Sequence, residues 1–314
     1  MNKKTFYAHG KLLLTAEYLV LDGATALAIP TKQGQFLEVT SDENNGASAP
    51  KIYWNSLDME GNCWFATVFE NTASGIQISE DAKNAEDKIT TTLLDILQTA
   101  QLLNTVFLTE EKELTITTRL EFDRQWGLGT SSTLIATIAN WAQVDPFVLL
   151  EKSFGGSGYD IACAIHDTPI LYTRTDGAPE VKEVTFDPPF KEQLFFVYRN
   201  QKMDSKAAIA HYRSLDVSVL AKAKLQINTI TESVLSSRTL QEFEELLTTH
   251  EAILSETLQL PTVKSELFQD FSGAVKSLGG WGGDFMLATG GLESQEYFRR
   301  KGYHSIIAYK SMVL

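Results

Sequence analysis

Residues 113–141 read ELTITTRLEFDRQWGLGTSSTLIATIANW, and this stretch decides the fold. Glu113 to Leu120 alternates β-branched and other residues at period two, the pattern of a strand. Gly127 and Gly129 follow, then the hydroxyls of Thr130, Ser131 and Ser132, and then an apolar run from Thr133 to Trp141 that has helical character. Strand, glycine loop and helix in this order commonly build a phosphate site. Glycines let the backbone approach an anion, and the first helical turn offers unpaired N–H groups at the positive end of the dipole. Glycine turns with Ser or Thr caps also start helices that bind nothing, so the loop alone leaves both readings open. The pattern is neither a Walker A loop, since no Lys follows the glycines, nor a Rossmann fingerprint, since the third glycine is missing.

Composition bounds the rest. A chain of 314 residues is about twice a typical single domain, so two domains are expected. Apolar residues at 43% and charged residues at 21% describe an ordinary globular protein. The formal charge of -13 argues against nucleic acid or an acidic membrane as partner, and an anionic substrate would need a locally basic region. The apolar character of the first residues is broken at His9, Gly10 and Lys11, so no export signal is expected, and no run of eighteen apolar residues suggests a membrane span. Cys63 and Cys163 form no CxxC pair, which favours a reducing cytoplasm over a disulfide framework. None of the five histidines has HxxxH or HExxH spacing, and GxSxG is absent, so zinc and serine-hydrolase chemistry are unsupported.

Short strands are expected around Gly10-Lys11, with Lys11 and Glu17 as isolated charges in apolar surroundings. Such charges need partners or a ligand, and a Lys–Glu pair closing a hairpin would also satisfy them. Strands are expected over 35–40 and 51–54 with a turn over 41–46, and a helix over 84–103. Asp145-Pro146 starts a helix ending at Gly155-Gly156. Ser157 is expected to cap the next helix, placing Asp160 in its first turn, where the dipole alone would favour a carboxylate. Strands over 168–172 and 191–198 flank Asp176-Gly177 and Asp187-Pro188-Pro189, which sets a domain boundary at 185/186, giving domains 1–185 and 186–314. Helices are expected from Asp204-Ser205 to Tyr212, over 217–235, after the Thr239/Glu242 capping box and from Pro261. The chain closes with Gly279 to Asp284, a strand over 285–288, a helix through Arg300 and a strand over 303–309.

Glycine clusters at 127, 155 and 279, with Gly10-Lys11 ahead of them, are more specific together than singly. Their order resembles the GHMP kinases, the superfamily of galactokinase, homoserine kinase, mevalonate kinase and phosphomevalonate kinase, through nearly the whole chain. AHGKLLLTAEYLVL at 8–21 is similar to the family's first motif, GLGTSS at 127–132 to its second, SGYD at 157–160 to the segment with its catalytic aspartate, and Gly279 to Asp284 to its third. His9 stands where the family has proline, Ala16 where it has glycine, Asp123 where it has proline, and Trp281 where a small residue is usual. Glu17-Tyr18, Ser157 to Asp160 and Gly282 to Asp284 look closest to the phosphomevalonate and mevalonate kinases.

The resemblance implies a two-domain α+β architecture: an N-terminal mixed domain with a left-handed βαβ phosphate-loop unit, and a ferredoxin-like, helix-rich C-terminal domain. Nucleotide and acceptor would meet in the cleft between the halves. It implies an ATP- and Mg2+-dependent kinase acting on an alcohol or phosphate acceptor, mevalonate or phosphomevalonate first. Another GHMP-type kinase acting on a sugar or homoserine, a diphosphomevalonate decarboxylase and a non-catalytic binding protein on the same fold stay open. Gly127, Leu128, Gly129, Thr130, Ser131 and Ser132 would hold the nucleotide, and Ser131 and Glu151 the metal. Asp160 would be the base, with Lys11 keeping it ionised and stabilising charge on the transferred group. Glu17, Tyr18, Ser157, Gly280, Gly282 and Gly283 would bind the acceptor. Lys202, Ser205 and Lys206 could add anion contacts at a helix start, although an ordinary solvated N-terminus explains them too. The expected partner is a small, anionic acceptor, and the chain is a monomer or homodimer.

Overall fold

The computed structural model describes residues 2–43, 49–109, 112–201, 205–281 and 283–314. The chain forms two compact units, one of Met1–Gly10, Gln33–Arg124 and Gly129–Ile165, the other of Lys11–Lys32, Gln125–Leu128 and His166–Leu314. The division at 185/186 rests on turn signals between strands, whereas each of these units is made of segments that are discontinuous in sequence. Strands β1 (Asn2–Leu13) and β2 (Ala26–Glu43) run through both units.

In the first unit, β5 (Gly75–Ile78), β4 (Cys63–Thr72), β3 (Lys51–Leu57), β6 (Lys112–Leu120) and the C-terminal part of β2 lie side by side in that order. Only the β3–β6 neighbours in this series are parallel. The strands alternate as period two requires: Ile52, Trp54 and Ser56 of β3 point inward. Four helices supply the other side of the core: α1 (Lys88–Leu103), α2 (Thr130–Ala142), α3 (Pro146–Ser153) and α4 (Tyr159–Ala164). Leu93 and Leu97, Ile135 and Ile138, Leu149 and Ile161 from these helices join Leu37, Trp54, Phe69 and Ile116 in one buried cluster. Asp145 caps α3 as its Asp-Pro start requires, accepting the N–H groups of Phe147 at 2.8 Å and Val148 at 3.2 Å.

In the second unit, the N-terminal part of β2 pairs with β7 (Ile170–Thr173), which pairs with β8 (Glu180–Glu183). The remainder follows a β-α-β-β-α-β course. It runs through β9 (Leu194–Tyr198), the helices α5 (Ser205–Arg213), α6 (Val217–Ser236), α7 (Leu240–Leu258) and α8 (Val263–Leu267), then β10 (Val275–Leu278) and β11 (Phe285–Thr289). It ends in α9 (Leu292–Arg300), β12 (Ile306–Ala308) and α10 (Tyr309–Met312). The antiparallel sheet order is β10-β11-β9-β12, which is the ferredoxin-like arrangement expected of the C-terminal half. Leu194 to Tyr198 and Phe285 to Thr289 are buried at every position, so these central strands read as continuous apolar runs.

Several local expectations change. Gly10-Lys11 does not break a pair of short strands, because β1 passes through it. Ser157 is not the cap of α4; Gly158, with φ 86°, takes that position with no side-chain cap, because a left-handed backbone is needed there. A short 3-10 turn over Lys191–Gln193 precedes β9, Thr262 rather than Pro261 opens α8, and the closing strand shortens to Ile306–Ala308. Residues 44–46 of the expected turn, Lys202, Asp204 and Gly282 lie outside the described residues. Among the described residues, no helix is long and apolar enough to cross a membrane.

The C-terminal end of α7 supplies a clean stability test. Gln259 follows the helix in the left-handed region at φ 55° and is exposed. Glycine has no steric penalty there, so Gln259→Gly should raise stability by about 1 kcal/mol. Urea unfolding would show this as a higher midpoint at unchanged slope; an unchanged or lower midpoint would contradict it.

Candidate functional site

The glycine loop begins in the second unit. Gly127 sits at φ 66°, and a Cβ added there would lie 1.8 Å from Oδ2 of Asp284. A side chain at 127 would have to displace Asp284 and would sit on a backbone conformation that other residues rarely adopt. Lys11, buried at the second-unit end of β1, donates from Nζ to the Gly127 carbonyl at 3.2 Å and from its backbone N–H to the Leu128 carbonyl at 2.9 Å. Trp126 meets the ring of Phe285 edge-on at 5.5 Å, and Leu128 is fully buried. The loop is therefore held by its backbone and by its flanking apolar side chains.

The chain then enters the first unit at Gly129, whose φ of 96° makes it the left-handed cap of α2. The Ser132 hydroxyl donates back to the Gly129 carbonyl at 2.9 Å, and that of Thr133 to Gln35 Oε1 at 2.6 Å, so both hydroxyls hold the loop and helix start in place. Thr130 is half-buried and Ser131 exposed. The helix starts differ in their caps. Asp87, Asp145, Asp216, Thr239 and Thr262 cap α1, α3, α6, α7 and α8 with side-chain oxygens. By contrast α2, α4 and α9, which follow glycines, start with no side-chain cap, and α2 has no acid in its first turn. A thirteen-residue helix thus presents its first amides and positive dipole end without an internal acceptor on the cap residue.

Asp160 lies half-buried in the first turn of α4, preceded by half-buried Ser157 and buried Gly158. Glu151 is exposed on α3. Among the described residues, no group of three His, Cys, Asp or Glu side chains could hold a metal ion. Ser205 and Lys206 fall in the first turn of α5.

The remaining candidates belong to the second unit. Gly279 is left-handed at φ 78°, and Gly283 donates its N–H to the Gly280 carbonyl at 2.7 Å, closing a tight turn. Trp281 is buried within this turn: its backbone N–H donates to the Tyr18 hydroxyl at 2.6 Å and its indole N–H to the Pro261 carbonyl at 2.9 Å. The tryptophan ring is thus part of the unit's interior. Tyr18 also stacks on Tyr212 at 5.7 Å, and burial pushes its hydroxyl pKa upward.

Glu17 is fully buried and ion-paired to Lys276, so the carboxylate expected to meet an acceptor is engaged inside the protein. Lys276 also lies 3.6 Å from Glu251 Oε1 and donates to the Ser277 carbonyl at 2.9 Å. His250 Nε2 accepts the Ala16 N–H at 3.1 Å, which requires its lone pair, and burial followed by the nearby lysine pushes its pKa well below 6.5. The imidazole is therefore neutral with its proton on Nδ1. Two carboxyls then face one ammonium. Burial raises the pKa of Glu251, and burial opposed by Lys276 and reinforced by Glu251 raises that of Glu17 to about 7. Sequence reasoning missed Lys276, His250 and Glu251. The available signal was a lone lysine in the apolar stretch Ala274 to Leu278.

No protein-family model and no curated protein matches the chain. Solved structures do. Mevalonate kinase from Methanococcus jannaschii matches 96% of this chain and 94% of its own at 11% identity and a TM-score of 0.69. Streptococcus pneumoniae phosphomevalonate kinase, in complex with phosphomevalonate and AMPPNP, matches 96% of each chain at 15% identity and a TM-score of 0.66. Lactococcus lactis galactokinase complexed with galactose matches 100% of this chain and 94% of its own at 13% identity and a TM-score of 0.69. The chain has the two-domain α+β fold of these kinases, the fold expected from the motifs.

The buried carboxyls make stability depend on pH. With its folded pKa raised, Glu17 holds a proton that the unfolded chain releases from about pH 4.5 upward. Its contribution is full below that pH and is lost as pH rises through about 7. Between pH 5 and 7 this group should lower stability by up to about 1.4 kcal/mol per pH unit, and Glu17→Gln should flatten the profile. Parallel profiles for the two proteins in urea unfolding would contradict the assignment.

Proposed function

We propose that this chain is an ATP-dependent kinase that transfers the γ-phosphoryl group to a small anionic acceptor, with mevalonate or phosphomevalonate as the expected substrate. The observation that carries this reading is the start of α2, where a left-handed glycine precedes a long helix with no side-chain cap. Such a terminus suits phosphate oxygens. The fold shared with mevalonate, phosphomevalonate and galactose kinases supports the same reaction class.

Phosphoryl transfer needs positioning and charge neutralisation more than covalent chemistry by the protein. In this reading the backbone N–H groups from Gly127 to Ser132 hold the nucleotide phosphates, with Gly127 and Gly129 giving the backbone close approach. Magnesium supplies charge neutralisation when bound. The exposed hydroxyl of Ser131 and carboxylate of Glu151 are hard oxygen donors of the kind it takes. Asp160 orients the acceptor hydroxyl and accepts its proton, while the Lys11 ammonium stabilises negative charge on the transferred group. Ser157 in the first unit and Gly280 and Gly283 in the second are the residues that the motif resemblance assigns to the acceptor, with Lys202, Ser205 and Lys206 as sources of positive charge and donors for an anionic group. Tyr18 and Glu17 act on the acceptor turn from within, since both are buried.

Two substitutions separate this reading from a purely structural one. Gly129→Val places side-chain atoms at the loop that holds phosphate, so calorimetry should show ATP affinity lowered at least about tenfold in a folded variant; unchanged affinity would remove the nucleotide assignment. Asp160→Asn should lower kcat by about two to four orders of magnitude while sparing ATP affinity. If Asp160 serves only the helix dipole, the same change would cost roughly 0.3 to 1 kcal/mol of stability and leave turnover intact.

A further inference from the structure

Four side chains from three separate segments make up the buried charge cluster of the second unit, the Glu17–Lys276 pair with His250 and Glu251 beside it. Glu17 comes from the turn after β1, His250 and Glu251 from α7, and Lys276 from β10, and all are at most 4% exposed. None of these segments is near another in sequence; Glu17 and Lys276 are 259 residues apart. A buried ammonium is costly unless it is paired, and a buried pair is seldom better than apolar packing for stability alone. What the pair does supply is a fixed geometry between the segments that carry it.

That geometry leads to one place. Glu17 lies between two non-glycine residues of positive φ, Ala16 at 68° and Tyr18 at 60°. A strained backbone of this kind persists only when its surroundings hold it. Here His250 holds the Ala16 N–H and Lys276 holds the Glu17 carboxylate. The turn aims the Tyr18 hydroxyl at the backbone N–H of Trp281, which it accepts at 2.6 Å. Lys276 itself stands three residues before Gly279, so the same side chain ties down both the turn at 16–18 and the strand that leads into the glycine turn.

We propose that Lys276 is a positioning residue: acting through Glu17 and Tyr18, it fixes the backbone at Gly280 and Trp281, the turn that the kinase reading above assigns to the acceptor. The inference rests on that reading for its catalytic consequence, but not for its structural one. Loss of the lysine frees Glu17, lets the strained turn relax and releases the Trp281 N–H from its acceptor. Asp284, which abuts Gly127 of the nucleotide loop, is anchored separately, its carbonyl accepting the Arg199 N–H at 2.9 Å, so affinity for ATP should be spared.

Hydrogen exchange tests the structural link without reference to activity. In Lys276→Met the Trp281 amide should exchange at least about tenfold faster than in the wild type, approaching the rate in Tyr18→Phe, where the acceptor hydroxyl is gone. Amides of Phe285 to Thr289 should keep their protection. Glu17→Gln preserves shape while weakening the tie to Lys276, and it serves if Lys276→Met does not fold; it should accelerate the same amide several-fold. A Trp281 amide exchanging at the wild-type rate in folded Lys276→Met, or in Glu17→Gln should the first not fold, would overturn the proposal. Under turnover, the acceptor-dependent kcat/KM of the folded variant should fall at least about tenfold with ATP affinity within about twofold; an unchanged kcat/KM would also overturn it. If the wild type phosphorylates no acceptor, the kinase reading fails, while the exchange rates still decide whether Lys276 positions the turn.

Discussion

A side chain at Gly127 would have to displace Asp284. Asp284 occupies the space that a Cβ would need, and Lys11 donates to the carbonyl of the same residue. These two contacts bring the end of β1, the glycine loop and the segment leading into β11 onto one backbone unit. Any residue larger than glycine would push away a carboxylate and disturb the peptide that Lys11 holds. The loop takes a left-handed course at Gly127 and Gly129, and α2 starts after it without a side-chain cap. The anion-binding character proposed for this loop comes from that backbone path, whereas the hydroxyls of Ser132 and Thr133 are used to maintain it.

The buried quartet around Lys276 imposes a second constraint of a different kind. With His250 neutral, two carboxyls share one ammonium in an interior that disfavours a net charge, and the raised pKa of both acids is the physical outcome. Protons on such a pair belong to the pair as a whole. The departures from the family pattern at Ala16 and Trp281 fall in this same region. Ala16 adopts the positive φ that a glycine would take without strain, and His250 secures its N–H. Trp281 fits because its indole is buried and bonded to Pro261, so its bulk is accommodated within the unit.

Elements with local physical signatures were legible in the sequence. The period-two run before Gly127, the Asp-Pro start at 145 and the Thr239 cap are set by neighbouring residues, and the structure has β6, α3 and α7 at these places. The β-α-β-β-α-β course of the second half followed from the motif resemblance rather than from periodicity. Strands β4, β5, β8 and β10 were not anticipated. β5, β8 and β10 are four residues each, too short for a period to stand out. Ser157 was misplaced as a cap because propensity favours serine, while the backbone needed a positive φ that Gly158 supplies. Long-range pairing was the least legible. Lys11 and Glu17 were rightly noted as charges in need of partners, but nothing local to either indicates the Gly127 carbonyl or Lys276.

The acceptor is the part of the proposal least constrained by backbone geometry, because galactose, mevalonate and phosphomevalonate kinases share this fold. In the proposed reading, acceptor choice comes from side chains rather than from the fold, in a chain whose net charge is -13. A coupled assay of ADP release therefore tests the central claim most directly, with mevalonate, phosphomevalonate, diphosphomevalonate, homoserine and galactose offered in turn with ATP and magnesium. ADP release should be fastest with mevalonate or phosphomevalonate and should stay at background with galactose. Release with galactose alone, or with none of the five, would contradict the proposed function.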